Sequence, residues 1–317
     1  MTSAPWYAGF DVGGTRIKCV AMSADGRVLA EHTQTSAGRP FDDMVALMIE
    51  RAGDWVARFG HVSGIGVATP GIVRLNEGPV SLPGRLGGSE GYPVVERLST
   101  EFACTVVCLN DGDAAALGEH RFGAGRGVSR LVVVTLGTGI GGGIVLDGRL
   151  LGDLVTGEGS YLGHMVQQHN GDPCLCGSRG CAETLVSANA VAGRLRAALA
   201  REIPSSLLVR YHDDPASIGF PELIAAALEG DALATELFAR FREELATYLV
   251  SLAHLVGPTT IVLGGGVMHG ADTFLPEVEA EVQRRQFRGP GVAPVRVVRA
   301  ESLDLAGARG ACVPLLD

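Results

Sequence analysis

The stretch DVGGTRIKCVAMSADGRVL, residues 11–29, returns in outline as TLGTGIGGGIVLDGRLL, residues 135–151. Each copy runs from an apolar strand through a Gly/Thr-rich turn into a second apolar strand. A second turn, ADGRVL or LDGRLL, then leads into a third strand. A unit repeated in this way reads as an internal duplication. Around the copies, helical periodicity covers residues 42–58, 92–102, 113–122, 187–202, 221–228 and 231–256. The last carries Phe238, Phe241, Leu245, Leu249, Leu252 and Val256 on one face, a stripe that asks to be buried. Short apolar runs at 64–68, 105–109 and 260–263 alternate with these helices as strands. The expected architecture is α/β: mixed sheets flanked by helices, in two similar halves.

Composition bounds what such a fold can do. A chain of 317 residues suits two domains, each able to bury its own core. With 46% apolar and 19% charged residues it should fold throughout. The net charge of −9 gives no basic footprint for nucleic acid or an anionic membrane. Any polyanion must therefore be held locally, by backbone amides and a few cations. The opening MTSAPWYAGFDVGG lacks the basic and apolar regions of a signal peptide, and the uncharged run Leu131–Leu146 is too short and too broken by glycines to span a bilayer. A soluble, cytoplasmic protein with small-molecule partners is expected. Of seven cysteines, Cys19, Cys104, Cys108 and Cys312 are scattered, which does not suit a secreted disulfide framework. The other three crowd into CLCGSRGC, residues 174–181, and leave metal or redox chemistry for that cluster.

Three glycine-rich turns are candidates for holding phosphate. In DVGGTRIK, Asp11 ends a strand, Gly13 and Gly14 let backbone amides approach an anion, Thr15 adds a hydroxyl, and Arg16 and Lys18 add cations. Gly137, Thr138 and Gly139 form a second amide-rich turn, and Gly265 and Gly266 a third, after a strand. A single such turn is more often a hairpin without a ligand, but a second copy and a third glycine turn shift the odds towards phosphate binding. Gly137, Gly139 and Gly142 also satisfy G-x-G-x-x-G, yet the run GIVLDGRLL after them reads as strand and not helix, so a Rossmann dehydrogenase is not expected. No Walker loop is present.

Two further features carry chemistry. In LNDGDAAALGE a strand gives way to a helix, placing Asp111 near a helix N-terminus, where the dipole favours its charged form. Asp111 reads either as a general base or as an N-cap. The C-x-C-x4-C cluster offers three thiolates, and zinc takes a fourth ligand to close a tetrahedral structural site. His164 and His169 lie upstream, and spacing alone does not choose between them.

Taken in order, DVGGTRIK, GVATPG, LNDGDAAALGE, LGTGIGGGIV, the Gly163-His164 pair with CLCGSRGCAE after it, IVLGGGV and GARGA resemble the motifs of the ROK family, which joins bacterial sugar kinases and sugar-responsive repressors. The resemblance spans nearly the whole chain. It implies a two-lobed, actin-like and hexokinase-type fold built on a duplicated ribonuclease H-like core. The small lobe would take residues 1–112, with 303–317 packing back, and the large lobe 113–302. It implies transfer of the ATP γ-phosphoryl group to a sugar hydroxyl with Mg²⁺, as in a glucokinase. Nucleotide contacts would fall at Asp11, Gly13, Gly14, Thr15, Lys18, Gly137, Thr138, Gly139, Gly265 and Gly266. Sugar contacts would fall at Asn110, Asp111, His164 and Glu183, and at position 161, with Asp111 as general base. The family's zinc histidine follows a glycine and precedes the first cysteine by ten residues. The resemblance therefore assigns His164, Cys174, Cys176 and Cys181 to a structural zinc bracing the sugar site, and leaves His169 on the surface. A homodimer is implied as well. ROK repressors carry an N-terminal DNA-binding domain. This chain reaches its first phosphate turn at Asp11, without room for a helix-turn-helix, so the kinase branch is expected.

The pattern breaks on the sugar side. Tyr161 stands where the family has glutamate in E-x-G-H, with Glu158 three residues too early to replace it. Ser81 and Arg85 stand in VSLPGR where the family usually has other residues, and Asp113 stands where asparagine is common. A phenol offers one donor and cannot accept two sugar hydroxyls as a carboxylate does. The acceptor is therefore expected to be glucose or another hexose: an N-acetylhexosamine, fructose or allose. A weakly catalytic sugar sensor is the remaining alternative.

Overall fold

The computed structural model describes residues 4–81, 86–302 and 304–316. Its first half opens with β1 (Trp6–Val12), β2 (Arg16–Ser23) and β3 (Val28–Thr35), an antiparallel meander. There follow α1 (Phe41–Phe59), β4 (Gly64–Thr69), a small ladder of β5 (Ile72–Arg74) and β6 (Gly78–Ser81), α2 (Val94–Phe102), β7 (Thr105–Asn110) and α3 (Asp111–Phe122). β4 joins β1 and β7 in parallel, giving the sheet order β3-β2-β1-β4-β7. β4 is buried along its whole length, as a parallel strand covered on both faces should be.

The second half repeats the plan. β8 (Arg130–Leu136), β9 (Ile140–Leu146) and β10 (Arg149–Leu150) precede a ladder of β11 (Gly152–Asp153) and β12 (Glu158–Gly159). Then come α4 (Ala182–Val186), α5 (Ala188–Leu199), α6 (Ser206–Arg210), α7 (Phe220–Leu228), α8 (Ala232–Val256), β13 (Thr260–Gly264), α9 (Leu275–Arg285), β14 (Arg296–Arg299) and α10 (Ala306–Ala311). The sheet order β10-β9-β8-β13-β14 matches the first sheet position for position. The duplication read from residues 11–29 and 135–151 is therefore structural. Its local cause is shared: Gly26 and Gly148 close the corresponding Asp-Gly turns at φ of 85° and 79°, a backbone that glycine adopts without strain. The run after Gly139 is strand β9, as expected, and not a Rossmann helix.

Contacts divide the chain into two compact units. One holds Met1–Val133, Gly142–Ser160 and Ala300–Asp317; the other holds Val134–Gly141 and Tyr161–Arg299. The division differs from the one expected at residues 112 and 113, and the reason is the packing of α3 on α10. A Cβ on Gly310 would lie 1.7 Å from the carbonyl oxygen of Ala114, and one on Gly118 2.2 Å from that of Ala306. α10 also lies against the first sheet, where a Cβ on Gly9 would meet Ala308 O at 2.0 Å and one on Gly66 would meet Ala311 O at 2.2 Å. The GARGA segment is thus a helix pressed backbone to backbone on its neighbours. In the second unit α8 buries its expected stripe except for Val256, which is half-buried: Phe241 packs edge-to-face on Phe220 at 4.8 Å and on Phe274 at 5.4 Å. No helix among the described residues is long and apolar enough to cross a membrane.

This packing sets a stability test. Gly310→Ala should destabilise by about 3 kcal/mol or more, since the clash is with helix backbone that no rotamer change relieves. Gly193→Ala, in α5 with open space around the new methyl, should stabilise by roughly 0.5–1 kcal/mol. Urea denaturation of both variants checks the contrast.

Candidate active site

In the first unit β7 delivers Asn110 and Asp111 to the start of α3. Asn110 is the N-cap: its Oδ1 accepts from the N–H of Gly112 at 2.9 Å and of Asp113 at 3.3 Å, while its Nδ2 donates to Gly71 O at 2.9 Å. The capping role weighed for Asp111 therefore belongs to its neighbour. Asp111 is the first helical residue, half-buried, with Gly112 N–H also 2.9 Å from its Oδ1. Asn110 keeps only one amide hydrogen beyond these bonds, which limits what it can offer a ligand. Gly112 lets the helix start close on β9, since a Cβ would lie 2.3 Å from Gly142 N.

Asp11, at the end of β1, shares this electrostatic environment. Burial pushes its carboxyl up to about 6, opposed by Lys18 and reinforced by Asp111 and Asp304. Lys18 Nζ lies 3.2 Å from Asp304 Oδ1, so it is already ion-paired. Three carboxyls and one ammonium leave an excess of negative charge around Asp11. The Gly13–Gly14–Thr15 turn is held by Ser36, whose hydroxyl donates to Gly13 O at 2.6 Å and whose N–H donates to Thr15 O at 3.0 Å. A cleft of about 390 Å³ opens beside it, lined among others by Gly14, Ser36, Arg39 and Leu86. Nothing local to Ser36 or Arg39 marks them for this place, because the chain returns to the turn only through β3.

In the second unit the other two glycine turns meet. Gly137–Gly139 links β8 to β9, and Gly265 follows β13, the neighbouring strand. A Cβ on Gly265 would lie 2.4 Å from Leu136 O, at a φ of 85°. The thiol cluster belongs to the same unit. His164 Nδ1 is 3.4 Å from Cys174 Sγ, and Cys176 Sγ is 3.7 Å from Cys181 Sγ. All four ligand atoms lie within 4.8 Å of one another. Tetrahedral zinc at ordinary bond lengths asks for S···S of about 3.8 Å and N···S of about 3.5 Å. The donor set and these edges fit zinc. His169 is exposed and outside the group.

Glu183 follows the last cysteine by two residues and is not the exposed first-turn carboxylate its local sequence suggests. It is 8% exposed, and its Oε2 accepts from Ile140 N at 2.9 Å. Ile140 is the residue after Gly139. The carboxylate thus ties the thiol knuckle to the second glycine turn. Gly163, before the histidine, allows the same approach: a Cβ would lie 2.2 Å from Ile140 O.

The profile of the ROK family matches residues 7–316. The chain belongs to the ROK family. It is 32% identical over 280 residues to a glucokinase of Halalkalibacterium halodurans, covering 86% of this chain and 84% of that one. It is 30% identical over 316 residues to a kanosamine kinase of Amycolatopsis mediterranei, covering 97% and 95%. Among solved structures, a ROK family glucokinase from Streptomyces griseus in complex with glucose and AMPPNP aligns with a TM-score of 0.79 at 27% identity, over 96% of this chain and 97% of that one. The fold is accordingly the actin-like, hexokinase-type α/β fold. Of the departures from the ROK pattern, Tyr161 is 43% exposed and its carbonyl accepts from His164 N at 2.9 Å, at the start of the turn Leu162–His164. Glu158 is exposed on β12, and Ser81 Oγ lies 3.5 Å from Glu90 Oε1. Asp113 is buried. Arg85 lies outside the described residues.

Proposed function

We propose that this ROK protein is an ATP-dependent hexose kinase with Asp111 as general base. The observation that carries the reading is the division of labour at the start of α3: Asn110 caps the helix by accepting from Gly112 N and Asp113 N, and the Asp111 carboxylate stands beside it in the first turn, where it accepts from Gly112 N. In the reaction Asp111 takes the proton of the attacking hydroxyl as that oxygen forms its bond to the γ-phosphorus. The bond from the γ-phosphorus to the β,γ-bridging oxygen breaks, and its electron pair leaves on ADP. The turns Gly13–Gly14–Thr15, Gly137–Thr138–Gly139 and Gly265–Gly266, with Lys18, are the proposed phosphate contacts, although the N–H groups of Gly13 and Gly137 close their own turns on Arg16 O and Gly139 O. Magnesium beside Asp11 would supply charge neutralisation of the phosphates.

Asn110, Asp111, His164, Glu183 and Tyr161 are the proposed sugar ligands. Zinc on His164 Nδ1, Cys174, Cys176 and Cys181 would supply a closed structural site, with no position left for water. Binding through Nδ1 leaves His164 Nε2 to carry a proton and donate to a hydroxyl. The excess of acidic residues supports small-molecule partners and no nucleic acid. A homodimer and a cytoplasmic location complete the reading.

A hexose other than glucose is the second form of this reading, and Tyr161 favours it. The kanosamine kinase among the relatives supports a family site that accepts altered sugars. Tyr161→Glu should lower kcat/KM for the best acceptor and leave glucose without gain, because the phenol contributes packing area and one hydrogen bond that a carboxylate lacks. Measuring kcat/KM for both sugars decides it. Improved glucose turnover with no loss elsewhere would instead mark an ordinary glucose site that has lost a carboxylate.

A further inference from the structure

One buried ionisable group near the site has no part in the reaction as proposed. Asp113 sits one residue beyond Gly112 in the first turn of α3 and is only 6% exposed. Its N–H is fixed on the Asn110 cap, and its carboxyl occupies a slot that two glycines leave open. A Cβ on Gly159 would lie 3.0 Å from its Oδ2, and one on Gly143 would lie 3.2 Å from its Oδ1. We propose that Asp113 is a positioning residue for phosphoryl transfer: from this slot its carboxyl sets how readily Asp111 takes the sugar's proton. The proposal rests on Asp111 being the base.

Asp111 also interacts with Asp11, the buried carboxyl on β1, whereas few charged groups stand around Asp113 itself. β9, which carries Gly143, brings no titratable side chain, its sequence being IGGGIVL. β12 brings Glu158 and β10 brings Arg149, both solvent-exposed. The same helix brings Asp111 and, farther along, Glu119, His120 and Arg121, and α10, packed on it, brings Arg309. Burial, and after it the negative charge of Asp111, push the Asp113 carboxyl up to about 7. Below that pH Asp113 is neutral and matches asparagine in both shape and charge. Above it the group is an anion beside the base. Proton transfer from the sugar turns the Asp111 carboxylate into a neutral acid, so a neighbouring negative charge favours that step. Turnover should therefore rise as Asp113 ionises.

The test is kcat against pH, with saturating ATP and Mg²⁺ and the best hexose from a substrate panel. Wild type is compared with Asp113→Asn and Gly159→Ala. Wild type should show a rising limb with its midpoint at about 7. Asp113→Asn should lack that limb, matching wild type near pH 6 and falling on the order of three- to tenfold below it near pH 8.5. Gly159→Ala adds a methyl whose nearest neighbours are all Asp113 atoms; by excluding solvent from the carboxyl it should move the limb to higher pH. Asp113→Asn with the wild-type limb would overturn the proposal. A loss by the same factor at every pH would do so too, since it marks a purely structural role. Should Asp113→Asn fail to fold, a Gly159→Ala midpoint unmoved from wild type overturns it. Failure of the underlying reading is seen separately, as undiminished turnover in Asp111→Asn.

Discussion

Asp111→Asn should fold, bind nucleotide as wild type does, and turn over at least about 100-fold more slowly, a loss of roughly 2.7 kcal/mol of transition-state stabilisation. The reason is a separation of roles. Had Asp111 been the cap of α3, asparagine would replace it with little loss, because the two cap equally well. The cap is Asn110, which bonds Gly112 N and Asp113 N, so the substitution at 111 removes proton affinity and leaves the helix start intact. Steady-state turnover, with nucleotide affinity and thermal unfolding measured alongside, separates the two roles. A folded variant with near-wild-type turnover would remove Asp111 from the chemistry.

The second large effect concerns the thiol cluster. Purified protein should carry about one zinc per chain by elemental analysis, because thiolates bind this ion tightly and the four donors already lie within 4.8 Å of one another. Cys176→Ser should lose the metal and drop sugar turnover by on the order of 100-fold, with His164 no longer anchored. Nucleotide affinity should weaken as well, by a smaller factor, because Glu183 links the knuckle to Ile140 N beside the Gly137–Gly139 turn. His164→Ala should release zinc and His169→Ala should not. The reverse result would show the ligand assignment to be wrong.

How much of this is legible in the sequence depends on the range of the interactions involved. The duplication is legible because it is written in local turn chemistry, two Asp-Gly turns with apolar runs on either side. The periodic helices are legible for the same reason, and α8 appears within a residue of its expected limits. α10 is not, because alternating glycine and alanine carries no helical signal. That helix exists through backbone contacts with β1, β4 and α3 that only the tertiary fold supplies.

At the site, spacing can name LNDGD as a strand-to-helix junction but cannot tell which of two adjacent residues caps the helix. Hydrogen-bond directions assign the cap to Asn110. The choice between His164 and His169 is open to spacing and needs the resemblance. In the structure only the first lies beside the thiols. Glu183 looks exposed from its neighbours, and its partner lies 43 residues earlier in the chain.

The central claim is that this fold moves a phosphoryl group to a sugar. The most direct measurement is ADP formation by the purified protein with ATP and Mg²⁺, across glucose, mannose, fructose, allose, N-acetylmannosamine and N-acetylglucosamine. The expected result is ADP released in step with sugar phosphate for at least one hexose, and none above background without sugar. Sugar binding detected by calorimetry with no ADP formed from any of them would contradict it and mark the protein as a sensor.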